Sequence, residues 1–332
     1  MNLFSKFTSF LKQYKNNATI YNIVLVSSIA LLVRGAGFIK EIVVANYFGL
    51  TELVDTFLIA ILIPSFFSGV FLGAFKNIFV PNYINALKSP INIGSFQSSC
   101  FLVGFMVAIL FGGVSIVFTD VFLEEFYHGH THSYYQLIKD QFYIILPSIF
   151  FWSASSIINA LLTIDDEFKL SSFSVITTPI AVIICIIFFK DYLGHRVLAA
   201  GTLLGSIIGF VYVVIIASRR QLIILDTPDF NSSEIRLLFK QIPAKLSSGV
   251  LSGINPFVDQ YFSAQLALGS IAALSYGVKI PMFAIGIIGM ATGKVLLPFY
   301  SKKVLENRKK AFSDLKKTIK VCLLYTSPSP RD

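Results

Sequence analysis

The stretch Leu31–Asp55, LLVRGAGFIKEIVVANYFGLTELVD, sets four charges, Arg34, Lys40, Glu41 and Asp55, into an otherwise apolar hairpin with its turn near Gly49. Outward from it, the flanking blocks are apolar as well. The 332 residues are 55% hydrophobic and only 14% charged, with a strongly positive mean hydropathy, outside the range of soluble domains. A bilayer core about 30 Å thick needs about 20 apolar residues per helical crossing. The blocks at about 18–48, 54–80, 96–121, 142–162, 172–189, 197–217, 242–266 and 271–300 meet that need. The expected fold class is an all-α polytopic membrane protein with about eight visible transmembrane helices.

The joints between blocks give the domain organisation. Residues 1–17 form a basic amphipathic lead, 18–217 a six-helix first lobe, and 218–241 the longest polar joint. Residues 242–300 supply the first two helices of a second lobe, and 301–321 a basic amphipathic segment. At Cys322 the pattern changes abruptly to CLLYTSPSPRD. Residues 322–332 resemble translated adapter sequence, so the natural chain is expected to continue beyond Lys320. No small-residue cleavage site follows the lead, and the first span is expected to act as its own insertion signal.

The net charge of +9 is distributed by loop, which argues against a nucleic-acid partner. Lys6, Lys12, Lys15, Lys88, Arg219, Arg220, Arg236, Lys240 and the basic residues of 301–321 fall on one side; Lys139, Lys190 and Arg196 fall on the other. By the positive-inside rule both ends of the visible chain are expected to face the cytoplasm. Cys100, Cys185 and Cys322 are widely spaced and give no disulfide or metal framework. No nucleotide loop, nucleophile elbow or zinc-protease motif is present, so neither an enzyme nor a primary ATP pump is expected, and no cofactor is implied.

Charges within lipid are expensive and need a reason. At 1.5 Å per residue, Asp55 lies about 9 Å below the turn, Lys40 about 13 Å and Arg34 about 22 Å. Lys40 and Asp55 are thus close enough in depth to pair. Arg34 and Glu41, seven residues apart, share a helix face and can line one cavity. The bland alternative is that these side chains snorkel or merely pair two helices, an option that Arg34's depth makes harder. Lys279 is a second intramembrane cation, from the other lobe, whereas Lys294 reads as an anchor near the cytoplasmic end. Cations converging from two lobes suit a diphosphate headgroup.

Asp259, in NPFVDQYF beside Pro256, is a candidate site for Na+ or H+ as coupling ion, or else a helix–helix hydrogen bond. His128, His130 and His132 in HGHTH invite a metal reading, but no carboxylate-rich motif accompanies them and an ordinary wet loop is expected. Asp165, Asp166 and Glu167 read as a solvated joint. Gly35 and Gly37 beside Arg34 mark an expected bend.

VRGAGFIKEIVVANYFGLTELVDTFLIAILIP followed by GAFKNIFVP resembles the opening two spans of the MurJ/MviN lipid II flippases, whose pattern is roughly SRxxGFxRDxxxAxxFGxxxxxDAFxxAFxxPN and then EGAFxxAFVP. LPSIFFWSASSIINALLTIDDEFKLSSF and VDQYFSAQLALGSIAALSYGVKIPMFAIGIIGMATGKVLLP are similar to the fourth-to-fifth and seventh-to-eighth span regions of that family. The resemblance implies two lobes around a cationic cavity and outward movement of an undecaprenyl-diphosphate-linked peptidoglycan precursor by a monomer in the bacterial cytoplasmic membrane. It places Arg34 and Lys279 at cavity arginine positions, Lys40 and Glu41 where Arg and Asp are usual, Asp55 at an essential aspartate and Asp259 at a sodium-site aspartate of some members. Substrate binding is thereby expected at Arg34, Lys40 and Lys279, and a gating or charge network at Glu41 and Asp55. Ser68, Leu72 and Met282 depart from the pattern, Ser68 at the position of a further cavity arginine. Two other readings stay open: export of another lipid-linked oligosaccharide, of O-antigen or capsule type, and a degenerate membrane scaffold that transports nothing.

Overall fold

The structure is a computed structural model that describes residues 18–89, 92–127, 129–165, 167–283 and 312–316. The basic lead, His128, Asp166, Lys294 with the rest of 284–300, most of 301–321 and the 322–332 tail with Cys322 lie outside the described residues. Among the described residues the regular secondary structure is helical, with no strand. By compactness the chain divides into Ile29–Lys279 and a second unit of Met1–Ser28 with Ile280–Asp332. In the second unit the described residues 18–28, 280–283 and 312–316 are helical. Ile29–Lys279 is the larger unit and holds Arg34, Lys40, Glu41, Asp55, Asp259 and Lys279.

α1 is Ala18–Phe48. It is helical without interruption through Gly35 and Gly37, and neither glycine has a neighbour within 4 Å of where a Cβ would stand. Gly49, at φ +58, ends it in the left-handed conformation that favours glycine. α2, Glu52–Phe67, passes through a π-helical turn at Ser68–Leu72 into α3, Gly73–Ala86. Pro64 inside α2 removes one helical N–H just before that turn. α4 is Ile93–Phe126, capped by the Asn92 side chain, and α5 is His132–Ile145, capped by Thr131. Pro147 separates α5 from α6, Ser148–Ile164.

α7, Phe168–Phe173, leads through a 3-10 turn into α8, Thr177–Leu193, and after Gly194–Arg196 comes α9, Val197–Arg219. α8 and α9 form an antiparallel hairpin. A Cβ on Gly201 would stand 2.8 Å from the Val182 Cα, so the glycine lets the two backbones approach closely. α10, Ser233–Gly253, and α11, Asn255–Ala264, are separated by a break at Ile254, beside Pro256. α12 covers residues 270–283.

Among the described residues four stretches are long and apolar enough to cross a membrane: Glu52–Ala86, Ile93–Glu125, His132–Ile164 and Leu170–Arg219. The last folds back at Gly194 and so holds two legs. Their outer faces carry exposed Leu110, Val117 and Phe118 on α4 and Phe188 on α8, a surface that lipid rather than water accommodates. The chain is a multi-pass membrane protein.

The joint between α9 and α10 is not a loose polar linker. Residues 222–229 run along the amino-terminal end of α4. The Gln97 amide donates to the Leu222 carbonyl at 3.0 Å and accepts from the Ile224 N–H at 3.0 Å. Ser98 and Ser99 hydroxyls accept from the Asp226 and Asp229 N–H groups, each at 3.0 Å. Asn92 donates to the Asp226 carboxylate; that bond, with the Thr227 N–H, holds the Asp226 carboxyl below the usual carboxylate range. The acidic joint expected to be solvated is likewise engaged, Arg220 pairing with Asp165 at 3.5 Å and with Glu167.

Candidate functional site

The hairpin that opens the chain meets α12, 214 residues further on. Asp55, in the first turn of α2, is buried to 2% exposure, and its two carboxylate oxygens accept the Gly269 N–H at 2.6 Å and the Ala272 N–H at 2.7 Å. These are amides at the start of α12, left without carbonyl partners by the helix geometry. An anion there meets both the free donors and the positive end of the helix dipole. The fit requires Gly269: its φ is +90, and a Cβ would lie 2.7 Å from the Leu50 carbonyl oxygen. The Tyr276 hydroxyl, two turns into α12, donates to the Gly49 carbonyl at 3.2 Å.

A second set of charges lies on the facing sides of α1 and α12. Glu41 Oε1 is 2.9 Å from Lys40 Nζ and 3.3 Å from Lys279 Nζ. Lys40 therefore pairs with its neighbour Glu41 and not with Asp55, as depth had led one to expect, because Asp55 is fully taken up by backbone amides. Arg34 lies two turns before Glu41 on the uninterrupted α1, exposed and without an ion-pair partner among the described residues. The structure thus brings Lys40, Glu41 and Lys279 together, sets Asp55 on the end of α12, and leaves Arg34 on the Glu41 face. Asp259 stands apart: it is exposed on α11, its backbone carbonyl accepts from the Ser263 hydroxyl at 2.7 Å, and its carboxylate has no ion-pair partner among the described residues.

Neutral contacts complete the junction, and none of them was legible in the sequence. The Gln260 amide of α11 donates to the Leu58 carbonyl at 3.3 Å. His130 Nε2 lies 3.1 Å from the Ala264 carbonyl, and its ring stacks on Tyr134 at 4.2 Å. His132 instead meets Gln136 at 3.2 Å, so these two imidazoles face different partners. Phe257 packs edge-on against Phe66 and Phe122. Between the α2–α3 rod and α10–α11 lies a cavity of about 480 Å³, lined by Ser65, Gly69, Asn77 and Lys245 among others. Lys245 is a cation that the sequence pattern did not single out.

The family described as Lipid II flippase MurJ matches residues 44–330; Asp55, Asp259 and Lys279 fall inside that range, while Arg34, Lys40 and Glu41 precede it. A probable lipid II flippase MurJ of Buchnera aphidicola subsp. Schizaphis graminum is 27% identical over 305 residues, covering 89% of this chain and 59% of the relative. One of Vibrio cholerae is 26% identical over 310 residues, covering 87% and 58%. Among solved structures, a lipid II flippase MurJ in an inward closed conformation superposes with a TM-score of 0.72 at 26% identity, over 86% of this chain and 59% of that one. The Vibrio cholerae MATE transporter VcmN in its bent form shares the fold, with a TM-score of 0.59 at 15% identity. The chain spans somewhat under 60% of the length of these MurJ relatives. By the extent of its match, the chain belongs to the lipid II flippase MurJ family.

Proposed function

We propose that the complete protein moves lipid II, a diphosphate-linked peptidoglycan precursor, from the inner to the outer leaflet of the bacterial cytoplasmic membrane by alternating access. The observation that carries this reading is the family match over residues 44–330; the names of the relatives supply the cargo. The geometry supports a gate. Asp55 ties the α1–α2 turn to the start of α12, so a swing of α12 that opens this end must release two hydrogen bonds to a carboxylate.

In the same proposal α1, α2–α3, α4, α5–α6, α8, α9, α10–α11 and the span begun by α12 are eight crossings, the first six forming one lobe. The gate faces outward. Lys88, Arg219, Arg220 and Arg236 cluster at the opposite, cytoplasmic end, while Lys139, Lys190 and Arg196 on the gate side are engaged by Asp120, the Tyr47 ring and Asp140. Lys40 and Lys279 grip the diphosphate, which displaces Glu41 from between them, and Arg34 adds a bidentate donor two turns away. Asp259 is the carboxylate to test for a coupling Na+ or H+. Depleting the protein and quantifying lipid II accessible outside the cell tests the cargo: accessibility falls if the reading is right, and unchanged accessibility rejects it. Full complementation by Arg34→Ala and Lys279→Ala would reject the roles given to those cations.

A further inference from the structure

A second cavity, of about 520 Å³, lies among α3, α6, α8 and α9, and its lining includes Lys76, Trp152, Ser155, Ser156, Asn159 and Thr178. It shares no side chain with the charge network around Glu41. Lys76 is half-buried, about 6 Å of helix inside the end of the apolar block 54–80, and lines the cavity. Among the described residues no carboxylate lies within ion-pair distance of it, whereas Lys40, Lys139 and Lys279 each have one.

The neutral groups beside it are equally unspent. Thr163, Thr202 and Ser206 donate back to the carbonyl one turn earlier, the usual fate of a hydroxyl in a membrane helix. Among the described residues Ser68, Ser155, Ser156 and Thr178 make no such bond. The Asn159 side-chain oxygen accepts from Ser171 at 3.0 Å and Ser174 at 3.3 Å, which leaves its NH2 group as a donor without a described partner. The described lining therefore offers an ammonium, the four unspent hydroxyls of Ser68, Ser155, Ser156 and Thr178, an amide NH2 and no carboxylate. A cation in lipid surroundings without a counter-ion is costly, and a bound anion removes that cost. One positive charge balances one negative charge, and the surrounding donors match phosphate oxygens.

We propose that this cavity binds a monoanionic phosphate group, either the phosphodiester of a lipid headgroup or free inorganic phosphate, with Lys76 as its cation. The site goes beyond the flippase reading and does not depend on it. Trp152 is the single tryptophan of the chain and lines this cavity, so its fluorescence reports occupancy. The chain is purified in neutral detergent and titrated with sodium phosphate, and separately with short-chain phosphatidylglycerol, with equilibrium dialysis of labelled phosphate alongside.

A saturable Trp152 response to phosphate identifies the free ion; a response to phosphatidylglycerol alone identifies the lipid. Lys76→Gln is expected to weaken the midpoint by about tenfold or more, while Lys76→Arg retains it and Lys245→Gln, in the other cavity, leaves it unchanged. Ser155→Ala with Ser156→Ala, which keeps the cation and the fold, weakens it several-fold. Absence of saturable binding of either probe, or equal midpoints for wild type, Lys76→Gln and the double serine variant, overturns the proposal. The readout is binding rather than lipid II accessibility, so its failure leaves the flippase reading standing.

Discussion

Replacing Asp55 by Ala removes a carboxylate that satisfies two buried amides at 2.6 and 2.7 Å. Each donor left unpaired costs about 1–3 kcal/mol, and the loss of an anion at a helix amino terminus adds up to about 2 kcal/mol in a buried setting. The gate-closed arrangement should therefore lose about 2–8 kcal/mol relative to one in which water reaches the amides. At about 1.4 kcal/mol per factor of ten, that shifts the closed-to-open ratio by at least about twenty-five-fold. Asp55→Asn keeps one acceptor and forfeits one bond with the charge, so its shift should be roughly half as large in free energy. The assay is electron–electron distance measurement on the full-length protein in nanodiscs, with spin labels at Leu50→Cys and Leu268→Cys, two exposed positions flanking the clasp. The wild type should give one short distance, Asp55→Asn a mixture and Asp55→Ala predominantly the long distance. Identical distributions for all three proteins would refute the assignment of Asp55 as the tie between the hairpin and α12.

Other consequences are more local. Gly269→Ala places a methyl against the Leu50 carbonyl at φ +90; it should destabilise the folded protein by about 1–3 kcal/mol, read as a lower melting temperature, while Gly277→Ala, with open space around it, leaves the melting temperature unchanged. Glu41→Gln removes the negative charge between Lys40 and Lys279; a diphosphate lipid should bind several-fold more tightly to the variant and turn over more slowly, checked by a binding titration beside a flipping assay. Asp226 has its folded pKa depressed by the Asn92 and Thr227 donors. Its contribution is thus complete above the ordinary carboxylate value and is lost as pH falls through the depressed one. Amide exchange at Ile224, Asp226 and Asp229, corrected for intrinsic rate, should accelerate in that acidic window, and Asn92→Ala should move the onset to higher pH.

The sequence announced what depends on local pattern. Apolar block lengths gave the membrane class, Gly49 gave the end of α1, and Pro256 stands beside a break that the helices show. Depth along a helix was also legible, because rise per residue is fixed. Azimuth across helices was not. Lys40 and Asp55 have similar depth, yet Lys40 bends to Glu41 beside it, and Asp55 is consumed by backbone amides that no residue pattern advertises. The Gln97 clamp on residues 222–229 escaped notice for the same reason: its partners are main-chain groups about 125 residues away. Lys76 was hidden inside GAFKNIFVP, where the small and aromatic neighbours drew the eye and the donors around it come from α6 and α8.

The two anions of the opening hairpin differ in a way that suits alternating access. Asp55 is held by backbone N–H groups, which belong to the helix end and cannot follow a ligand. Glu41 is held by two lysine ammoniums, which are flexible, long-stemmed and free to transfer to a competing anion. In the proposed cycle a diphosphate arriving from the cytoplasmic side takes Lys40 and Lys279 from Glu41 and leaves that carboxylate without its cations in a largely buried position. Its repulsion from the incoming phosphates then raises the energy of the closed arrangement, while the clasp on α12 is unaffected by any direct contact with substrate. Opening follows only when the energy gained at the lysines exceeds the few kcal/mol stored at Asp55. An empty protein keeps its gate shut, and a cargo lacking the diphosphate charge, able to bind without displacing Glu41, has no means to open it.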